Sequence, residues 1–335
     1  MGIEGGSTPV TKWLITGGCG FIGTSLIRNL VEEGNHYIRV MDDLSVGSRE
    51  DLRRVCSFDE AEVAQKTSAG TVELVVGDIK DEMLCLTAAE DIDVVVHLAA
   101  NTGVAPSVKD PRADMMANVN GTFNMLEASR KKGVKRFIFA SSGAPAGECT
   151  PPIHEELAPH PVSPYGASKL AGEGYCSAFY HTFGVETVAL RFGNVYGPLS
   201  GHKTSVVAKF IRRALNGEVL EIYGDGSQTR DFIYIDDLVR AIRSAQATPG
   251  VGGETFQIAT NRETTVSEMV DILIPALERS GVTGIRVIHG DRLTGDVMRN
   301  FSDTSKAKKM LGWTPEIELQ TGIQKTVDFF KGQRA

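Results

Sequence analysis

Along most of this chain, short apolar runs of strand length alternate with stretches whose apolar residues recur at helical spacing. Trp13-Leu14-Ile15, Tyr37-Ile38-Arg39-Val40-Met41, Val75-Val76-Gly77-Asp78-Ile79, Val94 through Ala100, Lys135 through Ala140 and Val188 through Phe192 read as buried strands. That rhythm predicts an α/β protein with a doubly wound parallel sheet and right-handed crossovers. After Gly197-Pro198 the pattern loosens into a helix over 206–215, short strands over 220–223 and 230–235, and a helix starting at Asp236. The expected division is a first domain over 11–190, to which later segments return, and a smaller, discontinuous second domain over 191–330. The glycine-rich start, 1–10, is expected to be disordered.

The first strand runs into Thr16-Gly17-Gly18-Cys19-Gly20-Phe21-Ile22-Gly23, spaced G-x-x-G-x-x-G from Gly17. Gly17 permits the turn, Gly20 lets backbone approach a pyrophosphate, and Gly23 allows close helix packing with the helix N-terminus towards the anion. A glycine-rich turn without a ligand is the plainer reading of these residues alone. About twenty residues on, the second strand ends in Asp42, where a carboxylate can accept from an adenosine ribose. With Asp43 beside it, a 2′-phosphate would meet like charges, so the pattern favours NAD over NADP, with Arg49 and Arg53 positioned to soften the repulsion.

Composition narrows the classes further. A net charge of −7 over 335 residues, with no basic stripe interleaved with aromatics, argues against nucleic acid as a partner. Arg130-Lys131-Lys132 and Lys135-Arg136 read as a helix C-terminus complementing its dipole. The five cysteines are scattered without C-x-x-C spacing, which predicts neither disulfides nor zinc and suits a reducing cytoplasm. No apolar run reaches the ~18 residues of a membrane span, and no signal peptide pattern is present. None of the seven histidines has metal-site spacing; His97, ending an apolar strand, reads as a hydrogen-bonded structural residue, and no metal is expected.

The candidate chemistry lies in the middle of the chain. Tyr165 and Lys169 are four apart near the start of a helix that follows Pro164, so they share a face. An ammonium beside a phenol favours the phenolate, which predicts a tyrosine able to act as base and acid. An ordinary surface Tyr/Lys pair is the plainer reading of that spacing. Upstream, a strand delivers Ser141-Ser142 at its C-terminal end, where ligands of parallel sheets bind, although paired serines there also serve as caps or turn formers.

Together with Gly77-Asp78, His97-Leu98-Ala99-Ala100, Asn118-Val119-Asn120-Gly121-Thr122, Arg191 through Pro198 and Gly224 through Phe232, these residues resemble the extended short-chain dehydrogenase/reductase superfamily. Within it they resemble the nucleotide-sugar epimerases and dehydratases, from about Lys12 to Phe330. The resemblance implies a Rossmann-like sheet and bound NAD, held by Gly17, Gly20, Phe21, Ile22, Gly23, Asp42, Asp78, Ile79, Leu98, Ala99 and Ala100 together with Tyr165 and Lys169. Ser142, Tyr165 and Lys169 would be catalytic, and Ser142 would also touch substrate. Asn194 and Arg230 would contact a diphosphate. Where relatives carry an arginine this chain has Leu293, so either Arg292 stands in for it or one phosphate contact is lost; Asp296 would be a nucleotide-side carboxylate, and Asn300 would set the room around the sugar's 2-substituent.

Dehydrating and decarboxylating relatives carry carboxylates just after the serine matching Ser142; Gly143 and Ala144 stand there instead. The resemblance therefore implies C4 inversion of a UDP-hexose through a 4-keto intermediate, acting on UDP-glucose/UDP-galactose and extending to UDP-GlcNAc/UDP-GalNAc. Asn194 and Gly201-His202-Lys203 depart from the pattern of relatives that epimerise UDP-glucuronate. Pro145-Ala146 replaces a Val-Tyr pair, removing an aromatic side chain near the sugar. A uronate 4-epimerase, an NAD(P)H-dependent 4-ketosugar reductase and a dinucleotide-sensing binding protein are the alternatives. Helices over 115–132 and 165–183, which in relatives pair across a two-fold axis, imply a homodimer, with Met116, Val119, Phe123, Met125 and Leu126 as apolar positions that packing on the sheet explains equally well.

Overall fold

The computed structural model describes residues 10–61, 68–292 and 297–333. The expectations for residues 1–9, Leu293 and Asp296 lie outside the described residues. The chain forms β1 (Thr11–Thr16), β2 (His36–Asp42), β3 (Asp59–Glu60), β4 (Val72–Val76), β5 (Val94–His97), β6 (Arg136–Ser142) and β7 (Thr187–Phe192). There follow β8 (Asn194–Tyr196), β9 (Leu220–Tyr223), β10 (Thr229–Arg230), β11 (Phe232–Tyr234), β12 (Glu254–Ile258), β13 (Thr264–Thr265) and β14 (Val287–Gly290). Eight of these make one parallel sheet in the order β12-β7-β6-β5-β1-β2-β4-β3. The order reverses between β1 and β5, and that switch point opens a crevice beyond the strands' C-terminal ends.

Alternation along the strands builds a core on each face. Trp13 and Ile15 of β1 join Leu26, Ile27 and Leu30 of the helix Phe21–Glu33, whereas Leu14 joins Phe137, Phe139, Met125, Leu126 and Phe179 on the other face. The helix Ile235–Ala247 covers the first face beside Phe21–Glu33, and β12 returns to pair with β7. Trp313, fully buried, donates through Nε1 to the carbonyl of Asp237 at 3.0 Å, and the Asp237 carboxylate accepts from the amides of Glu316 and Ile317. The small strand pairs β8–β11, β9–β14 and β10–β13 lie outside the main sheet.

Several elements differ from their sequence reading. The run Val75–Ile79 leaves the sheet after Val76, because Asp78 turns the chain: its Oδ1 accepts from the Lys80 amide at 2.9 Å. The run from Val94 stops pairing at His97, after which the Leu98 amide donates to the Thr16 carbonyl. The expected helix over 115–132 is three pieces: Pro111–Met115, a π-helical turn at Met116–Asn120, and Gly121–Lys132. The wide turn accompanies the inward Asn118, whose side chain is buried and bonded on several sides.

A strap over residues 200–204 crosses towards the glycine-rich turn. Arg212 donates to the carbonyls of Gly201 and Lys203, His202 Nε2 lies 3.1 Å from Asp51 Oδ2, and the Lys203 ammonium sits 5.9 Å from the Phe21 ring centroid. Among the described residues, no helix is long and apolar enough to cross a membrane.

Candidate active site

At the switch point, Gly17 has φ 67° and its amide donates to the Met41 carbonyl; a Cβ there would stand 2.7 Å from the Ala99 nitrogen. A Cβ on Gly23 would stand 2.5 Å from the Gly18 Cα, so the helix could not pack this close to the turn with any other residue. The helix Phe21–Glu33 begins with no side-chain cap and no acidic residue in its first turn, which leaves its first amides open to an anion. Asp42 accepts from the amides of Cys19 at 2.9 Å and Leu44 at 2.8 Å; burial pushes its carboxyl up, and these amides oppose that. Its remaining lone pairs suit ribose hydroxyls.

Arg49 and Arg53 near this acidic end have partners of their own. Arg49 pairs with Glu60 at 2.7 Å, and the Arg53 guanidinium lies over the Phe58 ring. The open helix start, the close-packed turn and the acid at the end of β2 all fit NAD. Asp78, Ile79 and Leu98 through Ala100 follow the ends of β4 and β5 on the same edge, where the Ala99 amide donates to Thr16 Oγ1.

Beside them, β6 ends in two serines that face opposite ways. Ser141 Oγ donates to Glu173 Oε1 at 2.5 Å, whereas the Ser142 hydroxyl accepts from the Ala144 amide at 3.2 Å and acts to hold the Tyr165 phenol down. Tyr165 occupies the first turn of the helix Pro164–Phe183, which Ser163 caps by accepting from the Gly166 amide. Lys169 lies buried one turn on, donating to the Ala140 carbonyl at 2.9 Å with its ammonium 6.0 Å from the Tyr165 ring centroid.

The electrostatics correct the expectation that Lys169 makes Tyr165 acidic. Burial pushes the phenol up, and the group that pulls it back is Ser142. Lys169 itself is brought down to about 8 by burial, against the opposing charges of Asp114 and Glu173. With the ammonium turned to the Ala140 carbonyl, desolvation outweighs its pull on the phenol. His97, whose ring bonds Thr16 and Thr122, is held down to about 3 by burial and then by Lys169, and so stays neutral.

Behind the triad stand residues that the sequence reading assigned no role. Arg191 donates two hydrogen bonds to the Glu173 carboxylate, Nε to Oε1 at 2.8 Å and Nη2 to Oε2 at 2.7 Å, a buried bidentate pair that ties the helix to β7. Asn118 Nδ2 donates to the Asn101 carbonyl at 2.8 Å and Asp114 Oδ1 at 2.9 Å and lies 3.3 Å from Ser168 Oγ, which in turn donates to the Tyr165 carbonyl. The available signals were the Asp114/Asn118 spacing of four and the charges of Glu173 and Arg191 inside otherwise apolar segments.

A second concavity of about 340 Å³ lies between the helix Val206–Leu215 and β9, lined by residues that include Asn194, Lys209, Tyr223, Gln228 and Arg230. The Lys209 ammonium sits 4.9 Å from the Tyr223 ring centroid, and Arg230 donates to the carbonyls of Thr229 and Val297. Asn194 and Arg230 both line this cavity. Asn300 borders β10, its amide donating to Thr229 Oγ1, while Arg292 is exposed beside Gly224. Pro145 and Ala146 are buried in a short 3₁₀ turn after Ser142.

A model of the NAD dependent epimerase/dehydratase family matches residues 13–259. The UDP-glucose 4-epimerase of Mycolicibacterium smegmatis is 36% identical over 327 residues, covering 96% of this chain and 99% of that protein. The crystal structure of UDP-glucose 4-epimerase from Thermotoga maritima with UDP-glucose superposes with a TM-score of 0.85 at 35% identity, over 97% of this chain and 100% of that one. UDP-N-acetylglucosamine 4-epimerase from Methanobrevibacter ruminantium M1, in complex with UDP-N-acetylmuramic acid, gives a TM-score of 0.86 at 28% identity, over 97% and 100%.

Proposed function

The chain belongs to the NAD-dependent epimerase/dehydratase family, and from that premise we propose that it inverts C4 of a UDP-hexose with bound NAD. The observation that carries the reading is the pair after Ser142. Gly143 and Ala144 present no carboxyl to the sugar, and the nearby carboxyls of Glu173 and Asp114 are engaged behind the triad by Arg191 and Asn118. Elimination would need an acid and a base at C5 and C6; inversion at C4 needs neither.

NAD, when bound, supplies hydride acceptance from C4 and hydride return. Tyr165 takes the 4-hydroxyl proton and later gives it back, and Ser142 steadies the same oxygen. Lys169 is placed to orient the cofactor ribose. The UDP end would occupy the cavity of Asn194, Tyr223 and Arg230, with Arg230 giving a guanidinium fork to the diphosphate. Held there, the 4-keto sugar turns to present its other face. Arg292, exposed and next to the nucleotide side, would complete the phosphate contacts, and Asn300 would leave room for a 2-acetamido group. The relatives named for UDP-glucose and UDP-N-acetylglucosamine support both substrate pairs.

The test is a panel of UDP-glucose, UDP-galactose, UDP-GlcNAc, UDP-GalNAc and UDP-glucuronate with purified protein and no added reductant. Interconversion of the neutral pairs by protein that retains NAD is expected, with preferences within about 10–200-fold, the range a pocket of this kind discriminates. Strict dependence on added NADPH would instead mark a ketosugar reductase, and activity on UDP-glucuronate alone would overturn the neutral-hexose reading.

The same helices support a homodimer. Met125 and Leu126 face the sheet core, while Met115, Met116, Phe123, Tyr175 and Phe183 are exposed on the outer side. Phe123 meets Tyr175 and Phe179 edge-on at 5.4 Å and 6.0 Å, so the two helices share one aromatic face. Light scattering at micromolar concentration is expected to give the mass of two chains; a monomer mass refutes the pairing.

A further inference from the structure

The strap over residues 200–204 is anchored along its length. Leu199 before it has φ 64°, the buried Ser200 donates through Oγ to the Gly197 carbonyl at 2.6 Å, and the Lys203 amide donates to the Ser200 carbonyl at 2.9 Å. Arg212, on the helix Val206–Leu215, clamps the carbonyls of Gly201 and Lys203 at 2.7 Å and 2.6 Å. The strap also meets the segment that follows β2. His202 Nε2 lies 3.1 Å from Asp51 Oδ2, and Asp51 belongs to the capping box of the short helix Arg49–Arg53. That segment packs on the glycine-rich turn, where a Cβ on Gly47 would stand 2.2 Å from the Cys19 carbonyl oxygen.

Lys203 is thereby held at the start of the helix Phe21–Glu33, its ammonium 5.9 Å from the ring centroid of Phe21, the first helical residue. The Thr24 amide makes the first backbone bond of that helix, to the Gly20 carbonyl, so the amides of Phe21, Ile22 and Gly23 have no acceptor within it. Burial pushes the Lys203 ammonium down, and among the described residues no carboxylate lies within ion-pair distance to offset that. Other cations nearby are engaged: Arg28 pairs with Asp236, Arg49 with Glu60 and Arg54 with Asp51, while Arg53 lies over Phe58.

We propose that Lys203 is a cofactor-binding residue whose ammonium neutralises the diphosphate of NAD at the start of the helix Phe21–Glu33. This role depends on NAD binding and is independent of which sugar is turned over. A diphosphate brings two negative charges to a crevice that already holds Asp42 and Asp43, and the helix start supplies only partial positive charge. A full charge from the strap completes the neutralisation. Pinned by Arg212 and Asp51, that cation slows the cofactor's escape. The diphosphate of a UDP-sugar has the same chemistry, but the cavity of Asn194 and Arg230 is lined by Thr204 and Ser205 and not by Lys203.

The test is exchange of the NAD bound to the purified holoenzyme for isotopically labelled NAD, which needs no sugar turnover. Lys203→Met, which keeps an unbranched stem and removes the charge, should exchange on the order of 10-fold faster, the worth of one hydrogen bond to a charged group. Lys203→Arg should stay close to the parent. Added salt should speed exchange in the parent and narrow its difference from the methionine variant, a response that a purely structural lysine would not give. If the parent gives up NAD during purification, calorimetric dissociation constants are read in the same way. Should the methionine variant fold poorly, Lys203→Gln takes its place. Unchanged exchange in the neutral variant overturns the proposal, and so does a variant that holds NAD as before but binds UDP more weakly, which would assign the ammonium to the substrate.

Discussion

Tyr165→Phe is expected to lower kcat for C4 epimerisation by on the order of 10³-fold, the usual share of a positioned acid-base group, while leaving the fold and bound NAD intact. The phenol ring stays, and so does its place in the first turn of the helix Pro164–Phe183; what disappears is the one hydroxyl there that can ionise. Ser142 is a poor substitute, because an aliphatic hydroxyl has no comparable capacity to ionise, and Lys169 is turned to the Ala140 carbonyl. Circular dichroism, a melting curve and the absorbance of retained cofactor separate lost chemistry from lost structure. Near wild-type turnover in the variant would remove Tyr165 from the mechanism.

The largest stability effect is expected at Glu173. Its carboxylate accepts from Arg191 Nε, Arg191 Nη2 and Ser141 Oγ, all in the interior. Glu173→Ala would leave the Arg191 guanidinium buried without its counter-ion, and Arg191 Nη1 already lacks a partner. Breaking one side of such a pair costs about 3–5 kcal/mol, whereas replacing both sides with apolar groups is close to neutral. Glu173→Ala should therefore lower the urea midpoint strongly, and Glu173→Leu with Arg191→Met should recover most of the loss. A single variant as stable as the parent would show that the pair contributes little. Catalysis should suffer even below the melting point, because the pair joins the helix that carries Tyr165 to β7.

The sheet and the two ends of the candidate site were legible because their signals are local. The apolar runs of β1, β2, β6 and β7, the glycine spacing after Thr16 and the four-residue step from Tyr165 to Lys169 each depend on a few neighbouring residues. The length of an apolar run was a poorer guide: Val75–Ile79 looks continuous, yet the Asp78 side chain ends the strand by bonding the backbone. What escaped were partnerships across the chain. Nothing local announces that Glu173 will meet Arg191, or that Asn118 will join Asp114 to Ser168. The direction of the Tyr165 shift escaped for a related reason, since desolvation is set by everything that packs round the ring.

The order in which the sheet is completed has a consequence for biosynthesis. As the chain leaves the ribosome, β7 emerges with β6 already available on one side, but its other neighbour, β12, begins only at Glu254. Until then β7 is an open edge with a row of unpaired amides and carbonyls, the kind of surface on which nascent chains aggregate. The seal arrives later still, with Trp313 closing on the carbonyl of Asp237. A chain divided after residue 190 would therefore lack β12 and present an incomplete sheet with that edge open.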